Sequence, residues 1–479
     1  MNMRTGEPVE ETAPPDLEGL LAAQRRAVLA ANPPDLAARR QSLDALAGLV
    51  RTHREAMIAA VSADFGNRAR QETELGELLP LMNGIRHVRR HLKSWMRPER
   101  RRPGLAFRPA SARVEYQPLG VVGILSPWNY PLFLTLGPLV DALAAGNRVM
   151  IKPSELAPRT AELLERLLAG LFAPDQVAVV RGGAGVAQAF SRLAFDHLIF
   201  TGSTGVGRAV MQAAAPNLTP VTLELGGKSP VLLLPGQDPD RAARTIAMGK
   251  FFNAGQTCVA PDYVLVPRAQ MAGFAAAMLR CAERMYPAIT GNPDYTSIIT
   301  GRHYARLVSL VEGAVAAGAG VRRHADPGDA GRRLFPPTLL IDPPADSAVM
   351  GEEIFGPILP LVPYDRVEDA VRFVNERPKP LALYCYGRDE RQVAEVLDRT
   401  RSGGVTVNAT MLHVGQEDLP FGGVGESGMG AYHGREGFRQ LSHARAVLRM
   451  GRFNASHMVA APYGRLVRLV TRLFIGGGS

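Results

Sequence analysis

The chain reads as an α/β protein with two doubly wound, parallel-sheet units and one small additional β element. Three observations carry that expectation. Short apolar runs alternate with amphipathic stretches from Val121 to Leu225, the same alternation resumes after Gly227, and about 80 residues of helical periodicity precede both. Parallel strands joined by helical crossovers are covered on both faces, so each strand is apolar throughout rather than alternating.

Composition narrows the function classes. The 479 residues amount to about three domains' worth of chain at roughly 150 each. Apolar residues make up 46%, enough for one or two large cores. The three cysteines, Cys258, Cys281 and Cys385, are too far apart for a local metal or redox motif, so no metal site is expected. Their scarcity fits a reducing compartment, and the N-terminus lacks the apolar core of a secretory signal; a cytoplasmic location is expected. No apolar run approaches the roughly 18 residues that a membrane span needs. Lys and Arg total 55 against 45 Asp and Glu, but the arginines are dispersed with few aromatics among them. That pattern argues against a nucleic-acid face and for an anionic cofactor or substrate.

Residues 1–15 are polar and Pro-rich and read as a flexible N-terminus. Leu17, Leu20, Leu21 and Val28 then keep helical spacing up to Asn32-Pro-Pro. One longer helix is expected from the stripe Leu43, Leu46, Val50, Met57, Ile58, Val61 and Phe65. Another is expected from Leu75, Leu78, Leu79, Met82, Ile85, Val88, Leu92 and Trp95. The run from Arg97 to Gly104 reads as a solvated linker, and 112–120 as a short hairpin strand.

The first alternation predicts strands at 121–125, 148–151, 177–180, 197–200 and 221–225, with helices at 136–145, 159–171, 185–193 and 205–214 between them. The second predicts strands at 231–234, 263–266, 338–341, 358–362, 383–386 and 405–408. Its helices are expected at 241–252, 271–285, 304–318, 367–375 and 390–399. From Pro462 to Phe474 a basic amphipathic helix places Arg465, Arg468 and Arg472 on one face and Leu466, Leu469, Val470 and Leu473 on the other. It is expected to pack on the body or on a sister subunit, with a membrane-surface helix as the alternative.

Ligands of such sheets bind at the carboxyl ends of the strands. Four of those ends carry chemistry. Ser126-Pro-Trp-Asn129-Tyr-Pro131 holds a side-chain amide between two prolines; it either braces a turn or aims an NH₂ at a developing oxyanion. Lys152-Pro-Ser-Glu155 can pair internally or hold ribose hydroxyls. Gly202-Ser-Thr-Gly205-Val-Gly207 opens a helix, where unpaired N–H groups and the dipole favour a phosphate. Glu224, beside Gly226 and Gly227 in an apolar run, is a candidate general base of raised pKa; the alternative is bonding to nearby amides. Cys258, in Phe252-Asn-Ala-Gly-Gln-Thr-Cys, follows in the second unit. A lone cysteine is usually an apolar filler. The amide, the carboxylate and the phosphate turn give this one the surroundings of a nucleophile.

The segments PWNYP, KPSE, FTGSTGVG, LELGGKSP, FFNAGQTC, EEIFGP and PFGGVGESGMG occur in the order and spacing of the aldehyde dehydrogenase superfamily, which the chain resembles from about residue 20 to 450. The sequences around Cys258-Val-Ala-Pro-Asp-Tyr and Gly428-Met-Gly-Ala-Tyr-His-Gly434 resemble its class 3 branch, nearest the bacterial coniferyl aldehyde dehydrogenases. The resemblance implies the aldehyde dehydrogenase fold, with two Rossmann-like domains and an oligomerisation element. Residues 16–109 and 121–225 would bind the cofactor, 226–436 would form the catalytic domain, 110–120 and 437–452 the oligomerisation strands, and 453–479 a tail.

It further implies Cys258 as nucleophile, Asn129 with the Cys258 backbone N–H as oxyanion hole, and Glu224 as general base. Lys152 and Glu155 would hold the adenosine ribose, Gly202 to Gly207 with Ser203 and Thr204 the pyrophosphate, and Glu353 and Phe355 the nicotinamide ribose and ring. Tyr130 and Phe421 would line an aldehyde tunnel. NAD is the implied cofactor, with NADP also accepted in that branch, and a homodimer the implied assembly. Two other readings share these motifs: a CoA-acylating relative, which the glutamate at 224 argues against, and a non-catalytic protein on the same fold.

Overall fold

The computed structural model describes residues 16–104, 107–451 and 460–476. Residues 1–15, expected to be flexible, lie outside the described residues, as does part of the tail. Two sheets dominate. The first has six strands in the order Gly428–Met429, Val221–Glu224, His197–Thr201, Val121–Leu125, Arg148–Lys152 and Val177–Val179. The second has seven, in the order Gly320–Arg323, Thr338–Ile341, Ile358–Tyr364, Tyr263–Pro267, Pro230–Leu233, Ala382–Tyr386 and Gly404–Val407. All neighbours pair in parallel except the two edge strands Gly428–Met429 and Gly320–Arg323. Val121–Leu125 is buried at every position, as a strand covered on both faces must be. The helix Phe133–Ala145 is buried nearly all round, so its sequence carries almost no polar face.

A third sheet joins Glu99–Arg101, Ser111–Pro118 and Ser442–Arg449, all antiparallel. The expected hairpin strand pairs locally with Glu99–Arg101 and, on its other edge, over long range with Ser442–Arg449. The expected linker after Arg97 contributes an edge strand, because Glu99 collects Arg439 at 2.7 Å, Arg435 at 3.1 Å and the Tyr116 hydroxyl. Residues up to Gln440 of the 437–452 stretch belong to the helix Gly434–Gln440.

Other differences have local causes. The helix expected over 43–65 is two helices, Leu36–Thr52 and Arg54–Phe65, broken where His53 leaves helical geometry. The next helical run contains a π turn, Glu74–Leu78, ahead of Leu79–Trp95. That extra residue rotates the stripe: Leu78, Leu81 and Ile85 are buried, while Leu75 and Leu79 face solvent. The two-residue strand Gly428–Met429 extends the first sheet beyond Val221–Glu224, bringing the end of the second unit back onto the first. Both that strand and Gly320–Arg323 were too short or too polar to show periodicity.

The basic tail forms a helix, Arg465–Ile475, with no buried residue. Among the described residues it does not pack on the body; Leu473, Phe474 and Ile475 stay exposed. No helix among the described residues is long and apolar enough to cross a membrane.

Candidate active site

The helix Pro239–Phe251 leads into the turn that carries Cys258. Asn253 and Ala254 both adopt left-handed conformations, followed by Gly255 at φ +74°. Two consecutive non-glycine residues there are strained, and a buried polar network holds them. The Asn253 N–H donates to Glu72 at 2.9 Å, and its side chain donates to the Asn129 and Gln256 carbonyls, each at 3.2 Å. The Gln256 side chain donates to the carbonyls of Asn253 and Ser297 and accepts from the Ile299 N–H at 2.9 Å. A carbon at Gly255 would sit 2.4 Å from the Gly356 carbonyl, so this turn and the Glu353–Gly356 segment are in contact.

Asn129 is buried at the end of Val121–Leu125. Its NH₂ donates once, to the Gln256 carbonyl at 3.1 Å, which leaves one N–H for another acceptor. The Tyr130 hydroxyl bonds Thr257 Oγ1 at 2.6 Å, directly before Cys258. Beneath this strand end lies an ion pair that sequence reasoning missed. Arg68 meets Glu77 at 2.9 Å, both side chains fully buried. Arg68 also donates to the Asn129 carbonyl at 3.0 Å and lies 4.8 Å from the Tyr130 ring centre. Glu77 in turn accepts from the Leu132 and Phe133 N–H groups at 2.7 and 3.1 Å, capping the helix Phe133–Ala145. Arg68 lies in the connection after the helix Arg54–Phe65 and Glu77 in the π turn, and nothing local marks either as a partner of a strand end 50 or more residues away.

Cys258, half-buried, Glu224 and Glu353 share one electrostatic neighbourhood. Burial, then the two carboxylates, pushes the thiol up to about 12; the backbone N–H groups of Cys258 and Val259 act in the opposite sense. Glu224 is buried with no hydrogen-bond partner on either carboxyl oxygen, which excludes the amide-bonded alternative among the described residues. Burial raises its pKa well above the ordinary carboxylate range. Burial thus disfavours the charged forms of both groups, the thiolate and the carboxylate. Lys250, fully buried with an unpartnered Nζ, is lowered to about 8 by burial and lies near Glu353.

The cofactor positions fit a dinucleotide. Ser203 caps the helix Thr204–Ala214 in an extended conformation with no side-chain bond, so the first amides of that helix are open to an anion. A carbon added at Gly205 would meet nothing within 4 Å, whereas one at Gly207 would press on Leu225 at 2.6 Å. Gly205 keeps the approach clear, and Gly207 lets the helix lie close to the sheet. Lys152 and Glu155 pair with each other at 2.9 Å, with Glu155 half exposed at the rim. Glu353 presses against Gly226, where a carbon would lie 2.1 Å from its carboxylate, and burial raises its pKa to about 8. Phe355, at φ +50°, stands edge-on to Trp128 at 5.4 Å, next to Asn129. Phe421 is buried and stacks on His433 at 5.2 Å. Among the described residues no cluster of His, Cys, Asp and Glu is arranged to hold a metal ion.

The family model of the aldehyde dehydrogenase family matches residues 7–447. A probable coniferyl aldehyde dehydrogenase of Pseudomonas aeruginosa is 52% identical over 460 residues, covering 96% of each chain. The solved structure of a substrate-bound Staphylococcus aureus AldH superposes with a TM-score of 0.91 at 35% identity, covering 96% of this chain and 99% of that one. A Mycobacterium tuberculosis aldehyde dehydrogenase complexed with NAD+ superposes with a TM-score of 0.83 at 27% identity, over 92% and 91% of the chains. The chain belongs to the aldehyde dehydrogenase family and is an NAD(P)-dependent aldehyde oxidoreductase.

Proposed function

We propose that the chain oxidises an aromatic aldehyde of the coniferyl type, or a medium- or long-chain aliphatic aldehyde, to its acid through covalent catalysis by Cys258. The observation that carries this reading is the convergence of the thiol, the unpartnered Glu224 carboxyl and the free N–H of Asn129. The substrate class rests on the name of the Pseudomonas aeruginosa relative.

The Cys258 thiol releases its proton to solvent, the thiolate sulfur adds to the carbonyl carbon, and the new oxyanion is met by the Asn129 N–H and the Cys258 backbone N–H. One such donor is typically worth about 3 kcal/mol. The dinucleotide, when bound, supplies the two-electron acceptor that no side chain can provide. After oxidation the Cys258 sulfur carries the acyl group as a thioester. Glu224 takes a proton from the attacking water, the C–S bond breaks, and the carboxylic acid leaves with the thiol restored.

Gly202 to Gly207 would hold the pyrophosphate, Lys152 and Glu155 the adenosine ribose, and Glu353 and Phe355 the nicotinamide side. A carboxylate beside the ribose repels a 2′-phosphate, so Glu155 favours NAD; its Lys152 partner offsets part of that charge and leaves NADP as a weaker acceptor. The three-stranded sheet exposes most of Ser442–Arg449, an open face suited to a second copy of the chain in a homodimer. Values of kcat/KM for coniferaldehyde, benzaldehyde and alkanals with NAD and NADP test the reading. Highest values for coniferaldehyde with NAD are expected; oxidation of none of them would overturn it.

A further inference from the structure

A small pocket with an unusual lining lies against Phe133 and against His433, which stacks on Phe421. Its walls include Gly84, Gly137, Asp141, Glu417 and His433, and its cavity is about 20 Å³, room for one water-sized group. Phe133, Gly137 and Asp141 recur every four residues on the helix Phe133–Ala145 and so share one face. That face begins four residues after Asn129 and runs about 12 Å from Phe133 to Asp141. Tyr432 links the two ends. It stands edge-on to His433 at 4.5 Å and to Phe421 at 5.8 Å, and it lies within electrostatic range of Cys258 and Glu224 as well as of Asp141 and Glu417.

Of the polar groups of this pocket, the His433 ring is unpartnered and Asp141 makes a single long bond, while Glu417 is partly buried. His433 is buried at φ +83°, and neither ring nitrogen has a hydrogen-bond partner. Asp141 is buried and accepts one long bond, from the His433 backbone N–H at 3.3 Å. Glu417 lies over Gly84, where an added carbon would sit 3.2 Å from its carboxyl oxygen. Neither carboxyl forms a salt bridge among the described residues. Buried polar groups normally find partners, and here the space left for one is the size of a hydroxyl.

We propose that Asp141, Glu417 and His433 form a recognition site for a hydroxyl at the far end of an aromatic aldehyde whose carbonyl lies at Cys258. The proposal rests on the Cys258 reading above. Burial sets the chemistry of the site. It raises Asp141 well above the carboxylate range and Glu417 to about 7, and it lowers His433 to about 4. Burial favours the proton-bearing form of each carboxyl, which can donate; the neutral imidazole accepts, and a hydroxyl satisfies both. A bare ring leaves the polar groups unpaired, and a site built around such a bond rejects the analogue that lacks it.

The test compares 4-hydroxycinnamaldehyde with cinnamaldehyde in the wild type and in Glu417→Leu and Glu417→Gln. The wild type should favour the hydroxylated aldehyde in kcat/KM by at least about tenfold. That ratio should fall to near one in Glu417→Leu and be partly kept in Glu417→Gln, whose amide still hydrogen-bonds. Calorimetric dissociation constants of 4-hydroxycinnamate and cinnamate should show the same pattern, and they decide the matter if a variant is inactive. A wild-type ratio near one, with a resident water filling the cavity, overturns the proposal; so does a ratio unchanged in Glu417→Leu. If the wild type oxidises neither aldehyde yet binds 4-hydroxycinnamate selectively, the Cys258 reading falls and the hydroxyl site stands.

Discussion

The side-chain amide of Asn129 donates to the carbonyl of Gln256 across 3.1 Å, tying the end of a strand in the first sheet to the loop that carries Cys258. In the proposed mechanism this bond, made with one of the two amide hydrogens, holds the oxyanion donor beside the nucleophile. The other would meet the negative charge that develops in the proposed mechanism.

Asn129→Ala therefore separates catalysis from stability. The rate of oxidation should drop by roughly 10²–10³. Unfolding free energy should change by only about 1 kcal/mol, because Asn253 still donates to the Gln256 carbonyl. Rapid-mix kinetics and urea denaturation check the two parts; a large loss of stability with an unchanged rate would point to a bracing role alone.

The Arg68–Glu77 pair predicts a different pattern. Arg68→Met leaves a buried carboxylate without its cation, which typically costs about 3–5 kcal/mol. It also removes the donor to the Asn129 carbonyl, so kcat should fall as well. Arg68→Met with Glu77→Gln should recover part of the stability. Urea denaturation of the two single variants and the double variant measures the coupling, and additive losses would contradict it.

Glu224 sets a pH dependence. Burial raises its pKa, so the base form is present only above that raised value. Steady-state turnover should rise as pH climbs through it and be lost as pH falls below it. Glu224→Gln should lack that limb, while a first-turnover burst of reduced cofactor survives in stopped-flow traces. Loss of the burst would instead make Glu224 the base that activates the thiol.

Gly205→Asp tests the phosphate turn. The new side chain enters open space at a helix N-terminus. There a carboxylate favours the helix dipole by roughly 0.3–1 kcal/mol. Thermal stability should hold or rise, while NAD affinity, read by fluorescence titration, should weaken. Unchanged affinity would place the pyrophosphate elsewhere.

The parts legible in the sequence are those encoded by local pattern. Apolar runs with helical crossovers outline both parallel sheets, and Asn129, Lys152, Gly202 and Glu224 stand at strand ends because the topology puts them there. What was not legible depends on distant partners or one-residue shifts. The π turn at Glu74–Leu78 exposes Leu75 and Leu79, which the periodicity assigns to the core. Glu99, in a run of arginines, becomes an edge-strand hub through Arg435 and Arg439, more than 330 residues away. Asp141, Glu417 and His433 are single polar residues in three separate segments, and only the folded chain makes them one pocket.

The most direct measurement is mass spectrometry of Glu224→Gln quenched after incubation with coniferaldehyde and NAD. The account predicts an acyl adduct on the peptide containing Cys258 and none on Cys281 or Cys385. Product formation with Cys258 unmodified, or an adduct on another cysteine, would contradict it.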